Sequence, residues 1–300
     1  MSHHKPLITG LGELLWDVFP EYRRAGGAPA NVAYHARQLG NHGIPLSRVG
    51  SDTEGHELID FLASRGLDTS HIQQDDRFPT GAVRVTMQDG EASYTIDEGA
   101  AWDHLALTDD WRDLAGRTDA VCFGSLAQRS PDSRNAILDY LSLVPAQGMK
   151  VFDVNLREPW YDRDILEASL DMADVVKLNR DEWKRLGEIF GTNDLKNWLL
   201  DEKGVSLICL TKGAEGAELI SVESHHAEPA WPIDVSSGDS VGVGDAFTAA
   251  LTHHLLRTSP LDIAIRSAAR YAAHVAACKG AMPGLPEEVL RAVTDQHSTG

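Results

Sequence analysis

Short apolar runs recur along the chain without alternation: PLITGLGE at 6–13, DAVCFGSL at 119–126, KVFDVNL at 150–156, DVVKLN at 174–179 and VSLICLT at 205–211. Continuous apolar runs of that length suit strands covered on both faces. Between them lie stretches with helical spacing: APANVAYHARQLG at 28–40, SRNAILDYLSLV at 133–144, DILEASLDMA at 164–173 and DLKNWLLDEKG at 194–204. Strands alternating with helices predict an α/β fold, a mainly parallel sheet flanked by helices. One region departs from this pattern. Residues 80–97, TGAVRVTMQDGEASYTID, alternate apolar and polar around Asp89-Gly90, which predicts a hairpin in a half-exposed sheet. The early segment LLWDVFPEYRRAGG is placed to pair with it. The expectation is a single domain over residues 1–300 with a small β lid built from segments near 12–25 and 80–98.

Composition narrows the partners. Across 300 residues, 42% are apolar, enough for one large core. With 45 acidic against 27 basic side chains the formal charge is −18, which repels polyphosphate backbones and anionic lipid. Neither nucleic acid nor a membrane is expected as a partner, and a small molecule is favoured. No apolar run approaches the roughly 20 residues that span a bilayer, and the polar start MSHHKPLITG lacks a secretory signal's apolar stretch, so the expected location is cytoplasmic. Cys122, Cys209 and Cys278 are far apart and read as reduced core residues. The histidine pairs His225-His226 and His253-His254 point their side chains in different directions, so they predict surface or partly buried roles instead of a metal site.

Residues 239–256, DSVGVGDAFTAALTHHLL, carry the candidate chemistry. Phe247, Ala250, Leu251, His254 and Leu255 follow helical spacing, so a helix should start near Val243 or Gly244. Unpaired N–H groups and the positive dipole end at such a start stabilise an anion, and the glycines admit a phosphate close to the backbone. Asp245 in that first turn competes with a phosphate for the same dipole. Its presence makes sense if it takes a proton from an attacking alcohol while the N–H groups hold the transferring phosphoryl group. The alternative is an ordinary acidic first-turn residue. Two better-known glycine motifs fail here: Phe247 and Leu15 stand where a dinucleotide fingerprint needs glycine or alanine, and no Gly-Lys-Ser/Thr occurs for a P-loop.

Two segments in order, GGAPANVAYHARQLG at 26–40 and DSVGVGDAF at 239–247, with KLNRDE and LTKGAEGA between them, resemble the ribokinase-like carbohydrate kinases of the phosphofructokinase-B type over nearly the whole chain. Ser240 and Val243 depart from the family's Thr and Ala, keeping a hydroxyl and a backbone N–H respectively. The resemblance implies a ribokinase-like fold and phosphoryl transfer from ATP to a sugar. It makes Asp245 the base and the N–H groups of Gly242, Val243 and Gly244 the anion hole. Asn179 and Glu182 would organise Mg²⁺ through water, although Asn-x-x-Glu is also a helix-capping pattern. Thr211, Gly213 and Gly216 would contact the nucleotide, and Ala273, Ala276 and Gly280 would border the adenine, in a small-residue helix that ends in Gly280. The carbonyls of Asp239 and Val241 would hold a monovalent cation such as K⁺.

At the sugar end the resemblance implicates Asp17, which follows a strand-like run, together with Gly26, Gly27 and Asn31 at the start of the helix over 29–39. Asn155 and Arg157 lie beyond a strand end, where open α/β sheets bind ligands; Arg157 would reach the phosphate or substrate, or pair with a carboxylate. FGSLAQRSPDSR and EGAAWDHL are similar to bacterial fructokinases. The implied activity is therefore an ATP-dependent fructokinase, with a homodimer through the lid as the possible assembly. The alternatives are a kinase for ribose, a keto-deoxy sugar acid or a nucleoside, and a catalytically silent sugar-binding protein on the same fold.

Overall fold

Apolar strand residues lie on both faces of the central sheet, which is why their runs show no alternation. Val121, Phe123, Phe152, Val176 and Ile208 join one apolar cluster, and their chain neighbours Ala120, Cys122, Val151, Val175 and Cys209 join another. The computed structural model describes residues 5–88 and 91–294, with the backbone alone for 85–88 and 91–94.

The first half of the chain begins with β1 (Leu7–Leu11), β2 (Leu15–Val18), β3 (Arg23–Gly26), α1 (Ala28–Gln38), β4 (His42–Leu46), β5 (Arg48–Gly50) and α2 (Thr53–Ser64). It continues through β6 (Gln73–Asp75), β7 (Gly81–Gln88), β8 (Glu91–Ile96), α3 (Asp109–Ala115), β9 (Ala120–Gly124) and α4 (Pro131–Leu143). The second half holds β10 (Met149–Asp153), α5 (Arg163–Met172), β11 (Val175–Asn179), α6 (Arg180–Phe190), α7 (Leu195–Asn197), β12 (Leu207–Thr211), β13 (Ala217–Ile220) and β14 (His225–Glu228). Three helices close it: α8 (Val243–Leu255), α9 (Leu261–Ala276) and α10 (Glu287–Thr294).

The main sheet has the order β14-β13-β12-β11-β10-β9-β1-β4, parallel from β12 to β4 and antiparallel at the β13 and β14 edge. Helices α3, α4, α5 and α6 cover one face, and α1, α8 and α9 cover the other. A mainly parallel sheet flanked by helices is the architecture expected from the apolar runs. Helix α1 lies hard against the sheet because two strand positions carry no side chain. A Cβ on Gly10 would come within 1.9 Å of Pro29 O, and one on Gly43 within 1.9 Å of Ala33 O.

A second sheet, β3-β2-β7-β8, stands apart from the first. The early segment does pair with the hairpin, β2 running parallel to β7 and antiparallel to β3. The β7–β8 register runs to Gln88 opposite Glu91, and the expected turn at Asp89-Gly90 lies outside the described residues.

Several local expectations are corrected. Asp17 sits within β2 and does not follow it. The small-residue helix ends at Ala276, because beyond it the carbonyl of Cys278 accepts the Asp239 N–H and the Gly280 N–H turns to the Asp239 carboxylate. Cys278, in that turn, is half-buried, unlike the core residues Cys122 and Cys209. His253 and His254 are fully buried, since beyond its first turn α8 packs among the sheet, α1 and α9. The segment 194–204 forms only the short α7 followed by a π turn at Trp198–Glu202. Among the described residues no helix is long and apolar enough to cross a membrane.

Candidate active site

Parallel strands bring their C-terminal ends to one edge of the sheet, and the residues just beyond them open into a cavity of about 900 Å³. Glu13 follows β1, Asp153 ends β10, Asn155 and Arg157 follow it, and Lys177 projects from β11. Asn155 has φ 36°, in the left-handed region that asparagine tolerates better than most side chains. The second sheet closes the cavity from above with Leu15, Asp17, Arg24 and Gly26, and α1 contributes Ala28 and Asn31.

The floor is the start of α8. Gly242 caps the helix at φ 73°, and the first helical hydrogen bond runs from Ala246 N–H to Gly242 O. The N–H groups of Val243 and Gly244 therefore precede the helical ladder. A Cβ on Gly242 would fall 2.7 Å from the Ala281 Cα, so the following loop backs this turn closely.

Asp245 lies in that first turn, buried and lining the cavity, and Asn31 Nδ2 donates to its Oδ2 across 2.7 Å. Burial, with the Asp153 charge adding to it, pushes the Asp245 carboxyl up to about 6; the Asn31 hydrogen bond, Lys177 and Arg157 act against them. The carboxyl is thus placed to exchange a proton near neutral pH. Asn31 Oδ1 is buried with no partner among the described residues.

Lys177 Nζ donates to Asp153 Oδ2 at 2.7 Å, and Thr248 Oγ1 donates to the same oxygen at 3.2 Å. Burial works against the Lys177 ammonium, yet Asp153, with Glu182 and Asp245 adding to it, more than offsets burial and holds the pKa above the ordinary value. Glu13 Oε1 accepts the Ala28 N–H at 3.2 Å, and burial raises its carboxyl to about 7. Asp17 is raised to about 6 by burial, against the pull of Arg157 and Arg24. Across the cavity mouth, Arg24 Nη1 donates to Asp239 Oδ2 at 2.6 Å, and the Asp239 carboxylate also accepts from the N–H groups of Gly280 and Val241.

A glycine-capped helix carrying a poised carboxylate, facing hydroxyl-binding groups across one cavity, has the elements of a phosphotransferase. The family model for pfkB family carbohydrate kinases matches residues 19–288. The chain belongs to that family. A fructokinase of Escherichia coli is 32% identical over 299 residues, covering 92% of this chain and 95% of that protein. An uncharacterized sugar kinase of Pyrococcus horikoshii, solved in complex with ATP, superposes with a TM-score of 0.78 at 28% identity over 96% of this chain and 99% of that one. An aminoimidazole riboside kinase of Salmonella enterica, complexed with aminoimidazole riboside and an ATP analogue, gives 0.79 at 25% identity, over 97% and 100%. The fold of this kinase family member is accordingly ribokinase-like.

The sequence-derived site residues divide into two groups. Asp17, Gly26, Gly27, Asn31, Asn155, Arg157, Asp239, Val241, Gly242, Gly244 and Asp245 line the one cavity, and Val243 lies between two of them. Asn179, Glu182, Thr211, Gly213, Gly216, Ala273, Ala276 and Gly280 do not line it. Asn179 and Glu182 form a capping box at the start of α6, and Glu182 Oε1 also accepts the Leu156 N–H at 3.0 Å. Thr211 ends β12, and Gly213 and Gly216 make the turn into β13.

Sequence reasoning missed Glu13, Arg24, Asp153 and Lys177, all of which line the kinase's cavity. Two signals pointed to three of them. Glu13 closes the first apolar run, at the ligand edge of a parallel sheet, and Asp153 is a charge within the run at 150–156. Lys177 is a charge inside a buried run, which requires a partner.

Proposed function

We propose that this chain transfers the γ-phosphate of ATP to a hydroxyl of a small sugar, with D-fructose as the preferred acceptor. The observation that carries the reading is the pairing of Asn31 with Asp245 in the wall of the cavity, at the first turn of a glycine-capped helix. Asp245 takes the proton of the attacking hydroxyl, and the N–H groups of Gly242, Val243 and Gly244 stabilise the transferring phosphoryl oxygens. Asn31 Oδ1, buried and unpartnered, accepts a hydrogen bond from the sugar, and Asp17, Gly26, Gly27, Asn155 and Arg157 complete the sugar side.

The nucleotide lies along the ends of β11 and β12, with Thr211, Gly213 and Gly216 at its phosphates and ribose and with Ala273, Ala276 and Gly280 beside the adenine. The carboxylates of Glu182, Asp153 and Asp245 face Lys177 and Arg157, an excess of negative charge that suits a divalent cation. Mg²⁺ held through water by Glu182 and Asn179 would neutralise charge on the nucleotide phosphates. K⁺ at the carbonyls of Asp239 and Val241 orders the glycine turn; equal rates in K⁺ and Na⁺ at matched ionic strength would remove that site. The second sheet acts as the lid.

D-fructose is favoured as the acceptor because the sugar side presents hydroxyl-binding groups, the Asp17 carboxyl and the unpartnered Asn31 Oδ1. The similarity to a fructokinase points the same way, whereas the similarity to a riboside kinase keeps nucleosides in the comparison. The test is a panel of D-fructose, D-ribose, adenosine and a keto-deoxy sugar acid, read by ATP consumption. D-fructose should give the highest kcat/KM. A preference for another member of about tenfold, roughly 1.4 kcal/mol in transition-state binding, would overturn the assignment. Binding without turnover would make the chain a silent sugar-binding protein.

A further inference from the structure

His35 lies one helical turn beyond Asn31 on α1, fully buried and outside the cavity lining. Both of its ring nitrogens have partners: Nε2 is 2.8 Å from the Ala281 carbonyl oxygen, and Nδ1 is 2.9 Å from the Tyr271 hydroxyl of α9. A carbonyl only accepts, so Nε2 carries the proton and donates, and the Tyr271 hydroxyl donates to Nδ1. Burial lowers the imidazole pKa to about 4, so this one tautomer persists at neutral pH.

Further along α1, Gln38 Nε2 donates to the Pro283 carbonyl at 2.9 Å, and Gln38 Oε1 accepts the Leu285 N–H at 2.7 Å. Residues 31, 35 and 38 share one face of the helix. That face thus grips the loop over 281–285 in addition to Asp245. The loop in turn backs the cap of α8, where a Cβ on Gly242 would lie 2.7 Å from the Ala281 Cα. Helix α1 therefore reaches the start of α8 by two routes, directly through Asn31 and Asp245, and indirectly through His35, Ala281 and Gly242.

We propose that His35 is a positioning residue that couples sugar occupancy to the geometry of the glycine turn. The inference rests on the reading above that sugar contacts the start of α1 and phosphate contacts the turn. A sugar that settles Gly26, Gly27 and Asn31 fixes α1, and α1 fixes the Ala281 backing through the His35 N–H. The coupling is a binding free energy, so sugar tightens the nucleotide by the same factor as nucleotide tightens the sugar.

The test uses the full chain, the sugar of highest kcat/KM in the panel and a non-hydrolysable ATP analogue, with analogue affinity measured by calorimetry with and without saturating sugar. In the unaltered chain sugar should tighten the analogue by about fivefold or more. His35→Met, similar in length but without an N–H, should lose most of that factor and lower kcat while sugar affinity alone changes less than about twofold. His35→Gln, whose amide again offers an N–H toward the Ala281 carbonyl, should restore it. Should His35→Met fail to fold, Gln38→Leu breaks the neighbouring link and should reduce the same factor. Absence of coupling in the unaltered chain overturns the proposal. So does coupling that survives His35→Met, or Gln38→Leu in its place, in a folded protein, or that His35→Gln fails to restore. A panel in which no sugar is phosphorylated sinks the functional reading instead, whereas a working kinase with unaltered coupling sinks this inference alone.

Discussion

Asn31 Nδ2 donates to Asp245 Oδ2 across 2.7 Å, joining two buried side chains 214 positions apart in the chain. The bond favours the ionised carboxylate, while burial and the Asp153 charge favour the neutral acid, and the balance leaves Asp245 near 6. A base set there is ionised at neutral pH yet still basic enough to take a proton.

Asn31→Leu removes that hydrogen bond at nearly constant volume. The acid limb of kcat/KM, expected near pH 6 in the unaltered chain, should move to higher pH, because the strongest hydrogen-bonding influence lowering the Asp245 pKa is gone. Lys177→Met should move it in the same direction and Asp153→Asn in the opposite one. The measurement is kcat/KM against pH for the variants; an unmoved limb in all three would mean that Asp245 is not the titrating base.

Asp245→Asn keeps the size and removes the base. Turnover should fall by about 10² or more, the lower range of general-base catalysis. Sugar and ATP binding should persist, since a negative charge is removed beside the phosphates. Near-normal kcat in a folded variant would reduce Asp245 to an ordinary first-turn carboxylate.

Glu13→Gln should change the pH dependence of stability. The folded carboxyl titrates at about 7 and its ordinary value is 4.5, so between those values the folded chain holds a proton that the unfolded chain has released. Stability from this group therefore falls as pH rises through that window, by on the order of 3 kcal/mol at most. The variant lacks that loss, so it should gain on the unaltered chain from pH 5 to pH 8 in urea midpoints. A constant difference across that range would show that Glu13 does not titrate there.

The second sheet meets the body at Arg24 and Asp239, whose ion pair crosses the cavity mouth. If the sheet is a lid, amide exchange over 82–88 and 91–96 should slow when sugar is added, since closure excludes water from the γ-phosphate. Unchanged exchange at saturating sugar would assign the hairpin to a dimer surface or a fixed element.

The parallel sheet and its flanking helices were legible in the chain because an apolar run covered on both faces leaves a local trace. The glycine cap before Val243 was legible for a related reason, since φ 73° at Gly242 is a backbone demand met by residue type. Strands β4, β5, β6, β13 and β14 and helices α2, α3 and α10 went unread. Two of those strands have three residues each, and β4 contains Pro45 at the sheet edge, where proline is tolerated but weakens the signal.

Tertiary structure alone decided which charges face one another. Asp153 and Lys177 form their ion pair across adjacent strands, Arg24 reaches Asp239 from the other sheet, and His35 of α1 finds Ala281 in the loop after α9. The sequence by itself determined the central parallel strands, helices α1, α4, α5 and α8, the order of the family motifs and the residue types at the α8 start, since each depends on neighbours along the chain. The partners of Glu13, Asp153 and Lys177, and with them the proton affinity of Asp245, depend on burial and on charges brought together only when the strand ends converge on one edge of the sheet.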